Sequence, residues 1–190
     1  MEEMSATDAV RERLIVAGIR ELESHGLNDF SLRRVAVACE VSCAAPYRHF
    51  RDKEELILEI IRYINRRWTL LQDQIAEVFR LDDRRKLVEI GIAHIRFWIA
   101  NPNFRSVLLL DDPAPESPRR TERNKISEGI NRLLRQYCRN RGMNILDEER
   151  IAYLFPTVIY GTVLLLGNQE LENSEKTIQM VRNQLDTILD

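Results

Sequence analysis

The stretch VSCAAPYRHF, from Val41 to Phe50, places three small residues, Cys43, Ala44 and Ala45, ahead of a proline and then Tyr47, Arg48 and His49. On a short helix these residue types suit one chemistry, the reading of double-stranded DNA in its major groove. Small side chains let the helix backbone approach base edges, and an alanine methyl can contact the thymine methyl. Tyr47 and His49 can donate to phosphates, and Arg48 can reach phosphate or guanine. Pro46 fits the opening turn of such a helix, with Ser42 as N-cap, because a missing N–H and a fixed φ cost little there. Between Ser31 and Lys53, five basic residues (Arg33, Arg34, Arg48, Arg51, Lys53) stand against Glu40 and Asp52, an excess of three positive charges. The chain as a whole carries a net charge of -2, which excludes a basic coat but not a local basic surface.

Other chemistries find less support. Cys39 and Cys43 are four apart, but no second cysteine pair or suitably spaced histidine completes a zinc site. They read either as small buried residues or as a redox-sensing pair. With three cysteines and no apolar leader, the expected location is the reducing cytoplasm, without disulfides. The three histidines, His25, His49 and His94, show no metal or triad spacing. The acidic clusters Asp82-Asp83, Asp111-Asp112 and Asp147-Glu148-Glu149 sit near helix starts or in loops, where capping accounts for them. No enzyme activity, metal or cofactor is expected.

The elements that position these residues read as helices throughout, an all-α chain. Val10, Leu14, Ala17 and Leu22 recur at helical spacing between Thr7 and Ser24, and His25-Gly26 stops the run. Ser31 caps a short helix whose Leu32, Val35, Ala36 and Cys39 share a face, and Val41-Ser42 interrupts it. The recognition stretch follows to about Phe50, and Asp52 caps a longer helix beginning Lys53-Glu54-Glu55. Two short helices around a tight break, the second bearing aromatic and basic residues, form a helix-turn-helix. Downstream, Lys86 to Asn101 is amphipathic, Asn101-Pro102 starts a short apolar helix, Asp111 to Pro118 is a loop, and a polar helix runs to about Gly142. An uncharged helix spans Asp147 to Asn168 after its acidic start, and Asn173 or Ser174 caps the last. Ile151 to Gln169 approaches the length of a membrane span but holds Pro156, Gly161 and several hydroxyls, so burial against protein is expected instead. The expected division is a DNA-binding domain over residues 1-54 and a helical regulatory and dimerisation domain over 55-190.

Residues 26-56, GLNDFSLRRVAVACEVSCAAPYRHFRDKEEL, resemble the DNA-binding signature of the TetR/AcrR family of transcriptional regulators. The resemblance implies an Ω-shaped homodimer, usually a repressor, whose variable C-terminal helices bind a small molecule. It also implies that Ser31 and Arg34 contact the DNA backbone, that Arg33 reaches a base, and that Cys43, Ala44, Ala45, Tyr47 and Arg48 face the groove. His49 and Lys53 match phosphate contacts. Glu40 stands where the family usually has glycine, and Pro46 replaces the common leucine or isoleucine.

Two further expectations concern the C-terminal helices. The uncharged helix and the final helix, with its stripe of Ile178, Val181, Leu185 and Ile188, offer more apolar surface than one subunit can cover, so a two-fold homodimer through these helices is expected. His94, Phe97, Trp98, Phe104, Tyr137, Tyr153 and Tyr160 supply aromatic surface with polar handles, as a pocket for a small apolar or aromatic effector would. They also suit an ordinary packed core, and His94 is either a core histidine or a pocket polar group. The function expected is a repressor released from a palindromic operator by a ligand. The alternative is a helical DNA-binding or protein-interaction module without a small-molecule effector.

Overall fold

A computed structural model describes residues 6-104 and 116-190. The loop expected at Asp111 and the apolar helix expected beyond Phe104 fall largely outside them. Among the described residues the fold is all-helical: α1 Ala6–His25, α2 Leu32–Ala38, α3 Pro46–His49, α4 Lys53–Val78 and α5 Asp83–Ala100. A 3-10 turn at Pro102–Phe104, α6 Pro118–Asn140, α7 Ile145–Gly167 and α8 Glu175–Ile188 complete it. Packing divides the chain into two units, Met1–Arg66 with Asn103–Asn124, and Arg67–Pro102 with Lys125–Asp190. Packing units need not coincide with domains defined by role.

In the first unit α1, α2 and α3 pack on one another. Leu14, Leu22, Val35, Phe50 and Leu56 are buried there. Gly26, at φ +70, ends α1 in the left-handed conformation that a residue without Cβ takes most readily. Asp52 caps α4 by accepting from the Glu55 backbone N–H at 2.9 Å. Glu59 on α4 is buried. Burial pushes its carboxyl up, but hydrogen bonds from Arg62 and Arg11 outweigh this and hold it below the usual carboxylate range.

In the second unit α5, α7 and α8 pack on one another. α5 begins earlier than its apolar periodicity suggests, because Asp82 accepts from the Arg85 N–H at 2.9 Å. Gly91 of α5 lets the helices approach closely, since a Cβ there would stand 2.8 Å from Leu185 Cδ1 and 3.3 Å from Phe155 Cζ. Ser174, not Asn173, caps α8.

The apolar stripe of α8 does not face outward. Ile178, Val181, Leu185 and Ile188 are all buried within the chain, which corrects the expectation that they form a subunit contact. A short amphipathic helix packed against α5 and α7 buries its stripe on their apolar faces first. Apolar surface remains exposed elsewhere in this unit, at Tyr153, Leu164 and Leu165 of α7 and at Met180 of α8. By length and composition α7 is apolar enough to cross a membrane; six of its residues, from Ile151 to Leu166, are built into the core of this unit.

Candidate functional site

The helix-turn-helix is held in place by a carboxylate that the sequence pattern did not single out. Glu21 of α1 is buried and accepts from the Ser31 backbone N–H at 3.0 Å and from Arg34 Nε at 2.8 Å. Ser31, extended at φ -130, in turn caps α2 through Oγ, which accepts from the Arg34 N–H at 3.4 Å. Arg34 also donates to the Asp29 carbonyl. The legible signal for Glu21 was its place one full heptad from Leu14, on the buried stripe of α1.

The turn itself is a Schellman-type stop. The Val41 N–H donates to the Ala36 carbonyl at 3.1 Å and the Glu40 N–H to the Val37 carbonyl at 3.0 Å. Glu40 occupies the left-handed position at φ 56, the conformation for which glycine is best suited. A side chain there is strained, so Glu40→Gly is expected to stabilise the protein by about 1 kcal/mol, and Glu40→Val to destabilise it by a similar amount. Urea midpoints of the two variants against the parent chain measure both.

α3 begins at Pro46, with Ala45 rather than Ser42 at its N-cap, and no side chain caps it. Proline has no N–H to donate to the Ser42 carbonyl, so the helical ladder cannot start there. Instead the Ala45 N–H closes a turn on that carbonyl at 2.9 Å. Pro46 and Phe50 are buried, whereas Cys43, Ala44, Tyr47 and Arg48 are exposed and Ala45 and His49 half-buried. Tyr47 is 61% exposed despite its size. Arg33 on α2 is exposed as well. So is Val37, one turn further on and 66% exposed, a position that sequence reasoning passed over although it lies opposite the buried Leu32, Val35 and Ala36. Lys53 Nζ donates to the Leu27 carbonyl at 3.4 Å, tying the start of α4 to the loop after α1. Cys39 is buried, donates its thiol to the Arg13 carbonyl at 3.4 Å and has its pKa pushed up by burial, while Cys43 is exposed.

The seven residues expected to form a pocket separate. His94, Phe97, Trp98 and Tyr160 come together in the second unit, joined by Trp68, which was not singled out. Trp68 follows Ile61 and Ile64 along the buried stripe of α4, and that spacing was its signal. His94 stacks on Trp68 with ring centroids 4.4 Å apart, lies 6.1 Å from Trp98 and meets Tyr160 edge-on at 5.6 Å. Both His94 ring nitrogens and the indole N–H groups of Trp68 and Trp98 are buried without a hydrogen-bond partner. Burial alone pushes the His94 pKa down to about 3, so the ring is neutral. Burial likewise raises Tyr160, against a hydrogen bond with Ser127 that lowers it. Tyr137 is spent elsewhere, its hydroxyl donating to the Leu189 carbonyl at 3.0 Å. Tyr153 is 70% exposed, and Phe104 packs edge-on to Tyr63 in the first unit.

Residues 14–60 match the model of the bacterial regulatory proteins of the tetR family. A search of curated proteins returns no significant match. Among solved structures, a TetR family transcription regulator from Marinobacter aquaeolei is similar with a TM-score of 0.72 at 19% identity, over 95% of each chain. A TetR transcriptional regulator from Legionella pneumophila is similar with a TM-score of 0.72 at 19% identity over the full length of both. The transcriptional regulator FadR from Bacillus subtilis, solved in complex with stearoyl-CoA, has a TM-score of 0.70 at 15% identity, over 94% of this chain and 96% of that one.

Proposed function

With residues 14–60 a member of the tetR family of bacterial regulatory proteins, on a fold shared with solved regulators of that family, we propose that the protein is a dimeric, ligand-released repressor of transcription that binds a palindromic operator in the cytoplasm. Residues 1-54 are the DNA reader, and residues 55-190 carry the dimer contact and the effector site.

The observation that carries this reading is the contrast across the helix-turn-helix. Its apolar residues are buried and its turn is closed by backbone hydrogen bonds, while Arg33, Tyr47 and Arg48 project from it exposed. Among the described residues no ion pair engages Arg33 or Arg48, so docking on DNA breaks no bridge at either. Arg34 and Lys53 are different, each held by an acceptor of its own chain. They suit the backbone, where a donor needs correct placement rather than reach. Val37 adds an apolar contact surface suited to a thymine methyl.

Base contact and phosphate contact separate experimentally. Selection of bound sequences from a random DNA pool is expected to return a palindrome with half-sites one helical turn, or a multiple, apart. Arg33→Ala and Arg48→Ala are each expected to lose about 1–3 kcal/mol of specific affinity and to relax preference at one position per half-site. Lys53→Ala should weaken all sequences alike and reduce the salt slope by about one. Unchanged preference in both arginine variants would assign specificity to DNA shape and to the small residues Cys43, Ala44 and Ala45.

The dimer is built on α7 and α8 through the surface they leave exposed, Tyr153, Leu164, Leu165 and Met180. Effector binding then favours a dimer whose recognition helices no longer match the half-site spacing.

A further inference from the structure

Four buried nitrogens with no acceptor or donor opposite them, all within one aromatic cluster, are an unusual feature of a protein interior, where such groups are nearly always paired. They are the two indole N–H groups of Trp68 and Trp98 and the two ring nitrogens of His94. A neutral imidazole offers one donor and one acceptor. The cluster therefore presents three donors and one acceptor, arranged around rings that lie within 29° of parallel for both His94–Trp68 and His94–Trp98.

We propose that Trp68, His94 and Trp98 recognise an uncharged, flat ligand rich in hydrogen-bond acceptors, an aromatic carbonyl compound being the simplest form. This rests on the effector-responsive reading above and names the chemical class of the effector. The donors call for carbonyl or ether oxygens, and the near-parallel rings call for a planar frame that stacks between or beside them. The residues in ring contact with His94 are Trp68, Trp98 and Tyr160, and none carries a charge to neutralise an anion. A carboxylate placed there would lose its hydration without gaining a countercharge. A plain hydrocarbon would leave the same four nitrogens unpaired, and the full cost of their lost water contacts would persist. His94 is almost wholly shielded from solvent, so entry separates the rings that now touch. Ligand binding and a change of helix packing are thereby one event.

The chain has two tryptophans, Trp68 and Trp98, and both belong to this cluster. Tryptophan emission of the intact dimer thus reports this site alone. Coumarin, naphthalene, 2-naphthoate and decanoate serve as probes, titrated at pH 8 with correction for their absorbance. Coumarin is expected to perturb the emission saturably and to bind at least about tenfold more tightly than naphthalene, which has the same shape and no acceptor. 2-Naphthoate and decanoate should bind more weakly than coumarin. In His94→Phe and in Trp98→Phe, each checked for folding by its melting curve, the preference for coumarin over naphthalene should shrink severalfold.

Equal affinity for coumarin and naphthalene would overturn the proposal, as would tighter binding of either anion or no response to any probe. An effector that releases operator DNA without perturbing either tryptophan would also overturn it while leaving the regulator reading intact. Failure to bind any DNA would instead sink the regulator reading and leave the emission result standing.

Discussion

Leu185→Asp unfolds the second packing unit instead of dissociating a dimer, and the expected loss is at least about 4 kcal/mol. Leu185 is 0% exposed and its Cδ1 fills the space that Gly91 leaves on α5. A carboxylate placed there would be buried beside Gly91, Phe155 and Ile159, and its neutralisation by protonation would still leave a polar group in an apolar space. Leu164→Asp is the informative partner. Leu164 is 55% exposed on α7, so the substitution should leave the helical signal and the urea midpoint close to those of the parent. Its effect should appear in sedimentation, as a shift from dimer to monomer at micromolar concentration. If Leu164→Asp stays dimeric while Leu185→Asp unfolds, the exposed α7 surface is not the contact.

The second large effect is on stability against pH. An unfolded histidine titrates near pH 6.5, and His94 in the fold titrates at about 3 because burial disfavours its charged form. Between these values the unfolded chain binds a proton that the folded chain does not. Stability from this group is therefore complete above pH 6.5, is lost as pH falls toward 3, and declines no further below that. The slope approaches about 1.4 kcal/mol per pH unit, which gives a loss of about 2 kcal/mol between pH 7 and pH 5. His94→Phe keeps a flat ring among Trp68, Trp98 and Tyr160 and removes the titration. Its urea midpoint should be much less sensitive over that range than the parent's. Parallel curves for the two proteins would mean that His94 carries a proton in the fold.

What the sequence made legible follows from how local each signal is. Ser31, Asp52 and Ser174 announced their helices because a cap needs only one side chain and a backbone N–H three residues on. The exposed and buried sides of the recognition segment were readable too, since Pro46 and Phe50 sit four apart and share the buried side, while Tyr47 and Arg48 fall between them on the exposed one. Glu21 was not readable as a brace. Its role depends on Ser31 and Arg34, ten and thirteen residues away, arriving at the same carboxylate. The α8 stripe was visible as a stripe, but periodicity says only that a face is covered and not by what. Leu185 meets Gly91 of its own chain, a contact between residues nearly a hundred positions apart. The aromatic set failed for the same reason: composition grouped Tyr137, Tyr153 and Phe104 with His94, and the packing sent each elsewhere.

One element of α7 has a mechanical consequence. Pro156 lies inside this helix and has no N–H to donate to the Ala152 carbonyl, so the ladder lacks one rung at its middle. The flanking hydroxyls do not replace that rung: Thr157 donates to the Tyr153 carbonyl and Thr162 to the Val158 carbonyl. The helix that carries Tyr160 toward His94 on one side and Tyr153 and Leu164 toward solvent on the other is thus softest between its two halves. Such a joint lets the half bearing Tyr160 tilt by a few degrees without unwinding the half that precedes it. Amide exchange would register this as a step, with the protons just before residue 156 opening more readily than those beyond it. Pro156→Ala would restore the rung and stiffen the rod.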